Sequence, residues 1–355
     1  MNDVEELKQF VVVHARAQNI APEHYTAVLN RITDDEPGGP DSWAAQWSAA
    51  AERFAQQGNQ LDACRNFNMA RFPFVDGPDR ERALQRCIEA FDIWRADTPI
   101  ESVDVDVPDA GVIRCWATGL SPSERKPLLL VMGGIVTIKE QWAPVLLQAA
   151  RLGMAGVVAE LPGVGENPLP YDDKSHRMIS AILDAVADRA DTAQTYAIAL
   201  SFSGHLTLRA AAEDSRIRGL VTSGAPISDF FTDTVWGKTL PKVTVDTLAH
   251  LTGGADLSGW GLTAAELSQV DIPVGYIVSG RDEIIPPGDV AFLRRHARDV
   301  RTVEYPDVHG SPAHVDESRL WTVRSVLAMR GGNLPQRAVL SALLAVLRLR
   351  RALRR

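Results

Sequence analysis

The chain has 355 residues, 45% of them hydrophobic and 23% charged, with a formal net charge of −8. This length and apolar content allow a sizeable core and exclude global disorder, and the acidic balance argues against nucleic acid as the main partner, because phosphate binding needs a basic footprint. Cys64, Cys87 and Cys115 are widely spaced without a C-x-x-C pattern, which points to free thiols in a reducing compartment and away from a disulfide or zinc framework.

The opening MNDVEELKQF is acidic and lacks the basic-then-apolar order of a secretory signal. No uninterrupted apolar run approaches the ~18–20 residues of a membrane span, so a cytoplasmic protein is expected. Residues 1–100 are rich in Ala, Gln, Glu and Arg, and Trp43 and Trp47 stand four apart. That spacing predicts a helical domain, interrupted at PGGP (37–40) and PFVDGP (73–78). Its last helix runs through RERALQRCIEAFDIW, with Pro78 suited to the first turn and Asp79 to the positive end of the dipole.

From Glu101 the period changes. SVDVDV alternates as a half-buried strand does, and GVIRCWATG returns as its hairpin partner. Apolar strands then alternate with helices. PLLLVMGG precedes a helix around 138–152, AGVVAELPG one around 174–190, and TYAIALS one from about 202 to 213. IRGLVTSGAP follows, then IPVGYIVSG before the helix DVAFLRRHA, then VRTVEYPD before a last helix near 316–330. Continuous apolar strands between helices predict an α/β fold, a mostly parallel sheet wound on both faces, over residues 101–332. Residues 227–267 break the rhythm and form a candidate lid. Residues 333–355 form a basic amphipathic helix, read as packed on the domain in preference to lying on a membrane surface.

The chemistry gathers at strand ends. AIALSFSGH (197–205) parses as small-x-nucleophile-x-small, with Ala199 and Ser203 where G-x-S-x-G has glycines, and Gly204 just after. Taken alone, Ser201 is as well explained as a helix N-cap. Serine needs a base, and the base an orienting acid. SGRDEIIPP supplies Asp282 after a strand, with Glu283 as a shifted alternative and Asp229 a weaker one; an exposed helix cap is the plain alternative. His309 stands just beyond the next strand, and His314 lies five residues farther on. The remaining histidines, His14 among them, fall where no triad is expected, and His205 reads as a packing residue. An oxyanion hole needs two amides: Phe202 after the serine, and Gly134 in the Gly133–Gly134 turn, with Ile135 beside it. GGIVTIKE has neither G-x-G-x-x-G nor a Walker lysine, and no His/Asp/Glu cluster has metal-ligand spacing. No metal and no cofactor is expected. Four weak signals in the required order make Ser201 the expected nucleophile.

Residues 101–330 thus resemble the α/β-hydrolase superfamily. With the helices from WAAQW to CIEAF and the segment GGIVTIKEQW, the chain resembles one branch of it. That branch holds fermentation-respiration-switch-type esterases, dihydropseudooxynicotine hydrolase and fungal polyketide chain-shortening hydrolases. The resemblance implies an amino-terminal helical cap, a Ser201–Asp282–His309 triad, an oxyanion turn at Gly133–Gly134 and a Lys-Glu pair at Lys139–Glu140, which opens and orients the following helix. It further implies cleavage of an ester, or of a carbon–carbon bond beside a ketone, in a fairly apolar, polyketide-like molecule. The alternatives are an acyl-transferring, lactonising enzyme with the same triad, or a non-catalytic binding protein of this fold. The partner expected is a small-molecule carbonyl substrate, and a homodimer is one arrangement the chain allows. Phe72, Phe74, Phe230, Phe231 and Trp236 are the candidates to line its pocket, though each is individually as well explained by the core.

Overall fold

In a computed structural model describing residues 2–353, eight strands form one sheet. They are β1 (Glu101–Val107), β2 (Gly111–Thr118), β3 (Pro127–Met132), β4 (Ala155–Ala159), β5 (Asp191–Ala199), β6 (Ile217–Ser223), β7 (Pro273–Ser279) and β8 (Asp299–Tyr305). Their order is β1-β2-β4-β3-β5-β6-β7-β8. β1 buries alternate residues, Val103, Val105 and Val107, and leaves the aspartates between them outside. It pairs antiparallel with β2, which pairs antiparallel with β4, and β3 to β8 run parallel. All of β4, and β3 beyond Pro127, are buried, as a parallel sheet covered on both faces requires. β3 lies between β4 and β5, so the loops leaving β3 and β5 meet at a reversal of strand order. Such a reversal opens a crevice at the carboxyl ends of the strands.

The cap consists of α1 (Val4–Ala17), α2 (Pro22–Leu29), α3 (Trp43–Gln56), α4 (Gln60–Arg71) and α5 (Pro78–Arg95). Trp43 and Trp47 share the inner face of α3, as their spacing predicts, and the Trp43 indole donates to the Met69 carbonyl at 2.8 Å. With Leu7, Val11 and Phe72 they form a core distinct from that of the sheet. Pro78 occupies the first turn of α5, and Asp79 accepts from the Gly38 amide at 2.7 Å, holding the PGGP loop to that helix. Behind it, Arg80 pairs with buried Asp35 at 2.6 Å.

The helix expected over 138–152 is broken into α6 (Lys139–Trp142) and α7 (Leu146–Ala149), with 3₁₀ turns after each. Pro144 lacks the N–H that a continuous helix would need there. α8 (Arg177–Ala185) is shorter than expected, and α9 (Phe202–Glu213) matches its expected span. The irregular segment contains α10 (Asp229–Thr232), α11 (Thr234–Gly237), α12 (Lys242–Thr252) and α13 (Ala264–Gln269). α14 (Pro287–His296), α15 (Val315–Arg330) and α16 (Leu334–Ala352) complete the chain. α16 packs on α15 through buried Leu344 and an Arg351–Glu317 pair at 2.7 Å, while Leu334, Val339 and Leu349 remain exposed. Among the described residues, no helix is long and apolar enough to cross a membrane. The three cysteines are free and buried, with the Cys64 and Cys87 sulfurs 3.5 Å apart.

Polar contacts hold α1 over the carboxyl edge of the sheet. Arg319 of α15 donates to the Asn19 side chain at 2.9 Å and to the Ala17 carbonyl at 2.6 Å. Arg16 donates to the Pro312 carbonyl at 3.0 Å. The Glu6 carboxylate accepts from the Lys242 and Val243 amides, which open α12, at 2.8 and 2.7 Å. That placement follows the preference of anions for helix N-termini.

Candidate active site

Ser201 occupies the turn between β5 and α9 with φ 57° and ψ −130°, a conformation that residues bearing a Cβ rarely adopt. Its hydroxyl makes no cap bond to α9, so helix capping does not account for a serine here. Its amide donates to the Ser223 carbonyl at 2.8 Å, fixing the turn against the end of β6.

The two non-glycine positions flanking this turn have local explanations. The Ser203 hydroxyl shares its one hydrogen between the Leu200 carbonyl at 2.9 Å and the Met132 carbonyl at 3.1 Å. It stitches the first turn of α9 to β3. The crowded position is Gly204, where a Cβ would lie 2.2 Å from Thr222 Oγ1 and 2.9 Å from the Ala199 carbonyl oxygen. The glycine that close packing demands therefore stands one residue later than in G-x-S-x-G.

Asp282 and His309 meet across the loops after β7 and β8. His309 Nδ1 lies 2.9 Å from Asp282 Oδ1 and 3.0 Å from Oδ2. The Ile284 and Ile285 amides donate to Oδ1 at 3.0 and 2.9 Å, which orients the carboxylate. Burial alone would raise the Asp282 carboxyl, but the His309 charge and these hydrogen bonds hold it below the usual carboxylate range. Burial alone would lower His309, yet the charge and hydrogen bond of Asp282, with Glu283 behind, raise it above the ordinary imidazole value. Glu283 accepts from the His309 amide at 3.0 Å, so it supports the loop and not the ring.

The His309 ring lies against Gly224, the residue after the one that anchors Ser201. A Cβ there would come within 2.4 Å of His309 Cε1 and 3.2 Å of Nε2. Among the described residues, Ser201 Oγ and His309 Nε2 make no hydrogen bond with each other; catalytic contacts of this kind often tighten only with substrate.

Gly134 faces the serine: a Cβ on it would sit 3.0 Å from Ser201 Cβ and 3.4 Å from Oγ. Its carbonyl accepts from the Thr137 amide and hydroxyl at 3.1 and 3.0 Å. Arg71 of α4 reaches the same loop by donating to the Val136 carbonyl. Among the described residues, the Gly134 and Phe202 amides meet no acceptor. Two free donors beside a hydroxyl are the materials of an oxyanion hole.

Ser201, Gly134, Phe202 and His309 share a cavity of ≈ 510 Å³ between cap and sheet. Leu129, Val131, Ile198 and Ile277 of the sheet, Trp142, and Phe10 and Val13 of α1 make most of it apolar. Of the aromatic residues expected there, Phe72 lines it. Phe74, Phe230, Phe231 and Trp236 do not. Phe74 stacks on His250, with centroids 4.6 Å apart. Phe230 packs edge-on against Phe202 and Phe231 within the core, and the Trp236 indole donates to the Ile284 carbonyl at 2.8 Å. The candidate lid contributes Val243 and Thr244 of α12 instead.

The other candidates stay apart. His205 is buried against Phe231, and burial first and nearby Arg209 second lower it to about 3 against the opposing hydrogen bond with the Pro226 carbonyl. His314 pairs with Asp307 at 2.9 Å. Asp229 sits beyond β6, with its amide donating to Asp289 at 2.6 Å.

Two features go beyond the sequence reading, which has Lys139–Glu140 only as a helix-opening pair and His14 only as a histidine outside the triad. Lys139 is fully buried, 3.1 Å from Glu140, 3.1 Å from Glu160 and 2.7 Å from Glu166, and Trp116 also donates to Glu140 at 2.9 Å. Burial, with Glu140 adding repulsion, pushes Glu160 up to about 7 against the pull of Lys139. The Lys-Glu pair is thus part of a buried charge cluster that anchors the loop after β3 to the loop after β4. The second feature is His14, which α1 places in the wall of the cavity. A lone histidine in an amphipathic helix gave no sequence signal for that role. Among the described residues, no group of three or more His, Cys, Asp or Glu is arranged to hold a metal.

Comparison with known proteins places this geometry among relatives. Residues 43–284 match the family model described as esterase FrsA-like. The chain is 20% identical over 346 residues to Esterase FrsA of Photobacterium profundum, covering 88% of this chain and 81% of that one. It is 28% identical over 133 residues to Esterase FrsA of Vibrio cholerae, a match of 36% of this chain that spans about a third (32%) of the relative's length. Among solved structures it is similar to AbyA5, with 53% identity and a TM-score of 0.93 over 98% of this chain and 100% of that one. It shares the fold of 2,6-dihydroxy-pseudo-oxynicotine hydrolase, with 16% identity and a TM-score of 0.69 over 89% and 96% of the two chains.

Proposed function

The chain belongs to the FrsA-like esterase family, and from that premise we propose that it is a serine hydrolase working through an acyl-enzyme on Ser201. Its substrate class is a fairly apolar, polyketide-like small molecule cleaved at an ester or at a carbon–carbon bond beside a ketone. The observation that carries this is the ordered Asp282–His309 pair lying beside the strained Ser201 turn, at the wall of an apolar cavity.

Ser201 Oγ adds to the substrate carbonyl while its proton passes to His309 Nε2. The Gly134 and Phe202 amides receive the developing alkoxide, and losing one such donor costs about 2.7–4 kcal/mol. Asp282 holds the imidazole tautomer and stabilises the imidazolium. As the tetrahedral species collapses, the bond to the leaving fragment breaks with its electron pair, and His309 returns the proton to that fragment. Water, deprotonated by His309, then releases the acid and regenerates the serine. Ester and carbon–carbon cleavage differ only in whether oxygen or an enolate carbon leaves.

The test is product analysis of an acyl ester and an acyl-matched 1,3-diketone with the wild type and Ser201→Ala. Hydrolysis of either, abolished in the variant, supports the proposal. A folded wild type that cleaves neither, or a variant that retains full turnover, refutes it.

A further inference from the structure

The cavity wall opposite the sheet carries a polar ring that the triad does not use. His14 lies on the face of α1 that closes the cavity, its ring tilted 46° against Phe72 with centroids 5.2 Å apart. The adjoining Val13 packs onto the catalytic loop, its Cγ2 3.0 Å from where a Cβ on Gly310 would stand. The His14 carbonyl accepts from the Gln18 side chain, but among the described residues neither ring nitrogen has a hydrogen-bond partner. Neither is sealed in the packing, so both stay open to a small molecule. A polar ring that faces a cavity and has no protein partner is free to hydrogen-bond a molecule bound there.

Its protonation state narrows the chemistry. Burial foremost, then the neighbouring Arg71 and His309 charges, lowers His14 to about 3. It is therefore a neutral imidazole across the working range, unsuited to be a second base and able to donate one N–H. A neutral imidazole can polarise a carbonyl and stabilise an enolate oxygen, the role assigned to one histidine in triosephosphate isomerase. Among the described residues, buried Arg71 has no carboxylate within hydrogen-bond reach, and it donates to Asn68 and to the Pro73 and Val136 carbonyls. Its positive charge favours negative charge arising nearby.

We propose that His14 donates a hydrogen bond to an oxygen on the leaving fragment, and so favours cleavage of the ketone-adjacent carbon–carbon bond over cleavage of an ester. This rests on the serine-hydrolase proposal and specifies its substrate. For R–CO–CH₂–CO–R′, Ser201 attacks the first carbonyl and the carbon–carbon bond breaks toward the second. The electron pair delocalises onto that second oxygen, where His14 N–H meets it. The His309 imidazolium protonates the carbon, giving a methyl ketone, and water releases R–COOH.

The test compares kcat/KM for 1-phenyl-1,3-butanedione and phenyl benzoate in the wild type, His14→Leu and His14→Gln. Covalent labelling of Ser201 by a fluorophosphonate confirms that each variant is folded with a competent triad. The diketone-to-ester ratio is expected to fall roughly 10- to 100-fold in His14→Leu, the size of a hydrogen bond to a developing charge. It should recover in large part in His14→Gln, which keeps an N–H donor. An unchanged ratio in a labelled His14→Leu, or a wild type that hydrolyses the ester and leaves the diketone intact, overturns this inference while the serine-hydrolase proposal stands. A folded wild type that neither labels nor turns over either compound removes both.

Discussion

Asp282 holds His309 through both carboxylate oxygens, at 2.9 and 3.0 Å from Nδ1, while neighbouring Glu283 reaches only the His309 backbone. The two acidic side chains are adjacent in sequence and different in kind of contact. Asp282→Asn leaves the shape of the pair but favours the wrong tautomer, and is expected to lower kcat by up to ~10⁴-fold, as the equivalent change does in serine proteases. Glu283→Gln should cost less than ~10-fold. Steady-state kinetics on one ester substrate checks both, and the reverse ranking would reassign the acid.

The same pair sets a pH dependence. His309 must be neutral to accept the serine proton, and its pKa is raised above the ordinary 6.5. The acid limb of kcat/KM is therefore expected to have its midpoint above 6.5 and to move down in Asp282→Asn, which removes the largest raising influence. Stability follows with opposite signs at the two ends. The His309 contribution is complete below 6.5 and is lost as pH rises through its raised folded value. The Asp282 contribution is present above about 3.8 and is lost as pH falls through its depressed folded value. A pH–rate profile of wild type and variant, alongside urea melts, tests these directions.

The turn at the nucleophile separates two kinds of smallness. Gly204→Ala brings a methyl group to 2.2 Å from Thr222 Oγ1 and 2.9 Å from backbone. It is expected to destabilise by about 1–3 kcal/mol, the usual cost of overpacking a rigid core, and to displace Ser201 with it. Ser203→Gly restores the usual motif but gives up the hydroxyl's bonds to Met132 and Leu200. It should cost about 1 kcal/mol and keep activity. Urea denaturation with an activity assay separates them.

The buried Lys139 cluster predicts a stability effect away from the chemistry. Lys139→Met leaves Glu140, Glu160 and Glu166 without their shared cation, and is expected to cost about 3–5 kcal/mol at neutral pH. The loss should shrink toward pH 5, where the carboxyls can take up protons. In the wild type, Glu160 keeps its proton up to about 7 while its unfolded counterpart loses it near 4.5. The folded state binds the extra proton in that window, so this group makes stability fall as pH rises through it. Glu160→Gln should flatten that decline, as urea midpoints across pH 4.5–8 will report.

Much of this was legible because strand ends carry their chemistry in short words. Alternation in SVDVDV and continuity in PLLLVM distinguish a one-sided from a two-sided strand, and both formed as read. The loops carrying Ser201, Asp282 and His309 follow β5, β7 and β8 in chain order, which the pattern of elements already implied. The cavity wall was not legible, because an aromatic side chain looks the same in a core and in a pocket. Phe230 and Phe72 are equally apolar, and only the path of α1 and α12 over the sheet decides that Phe72 meets the cavity. His14 escaped for the same reason, since its place in the cavity wall depends on α1 crossing the loop after β8, nearly 300 residues away, where Arg16 meets Pro312. Lys139 looked like a helix opener because two of its three carboxylate neighbours, Glu160 and Glu166, come from the loop after β4.

The most direct measurement is the intact mass and peptide map of the protein after reaction with a fluorophosphonate. Wild type should gain a single phosphonyl adduct on the peptide containing Ser201, and Ser201→Ala should gain none. Asp282→Asn and His309→Ala should react far more slowly. A well-folded wild type that stays unmodified, or an adduct on any other residue that persists in Ser201→Ala, would contradict Ser201 as the nucleophile.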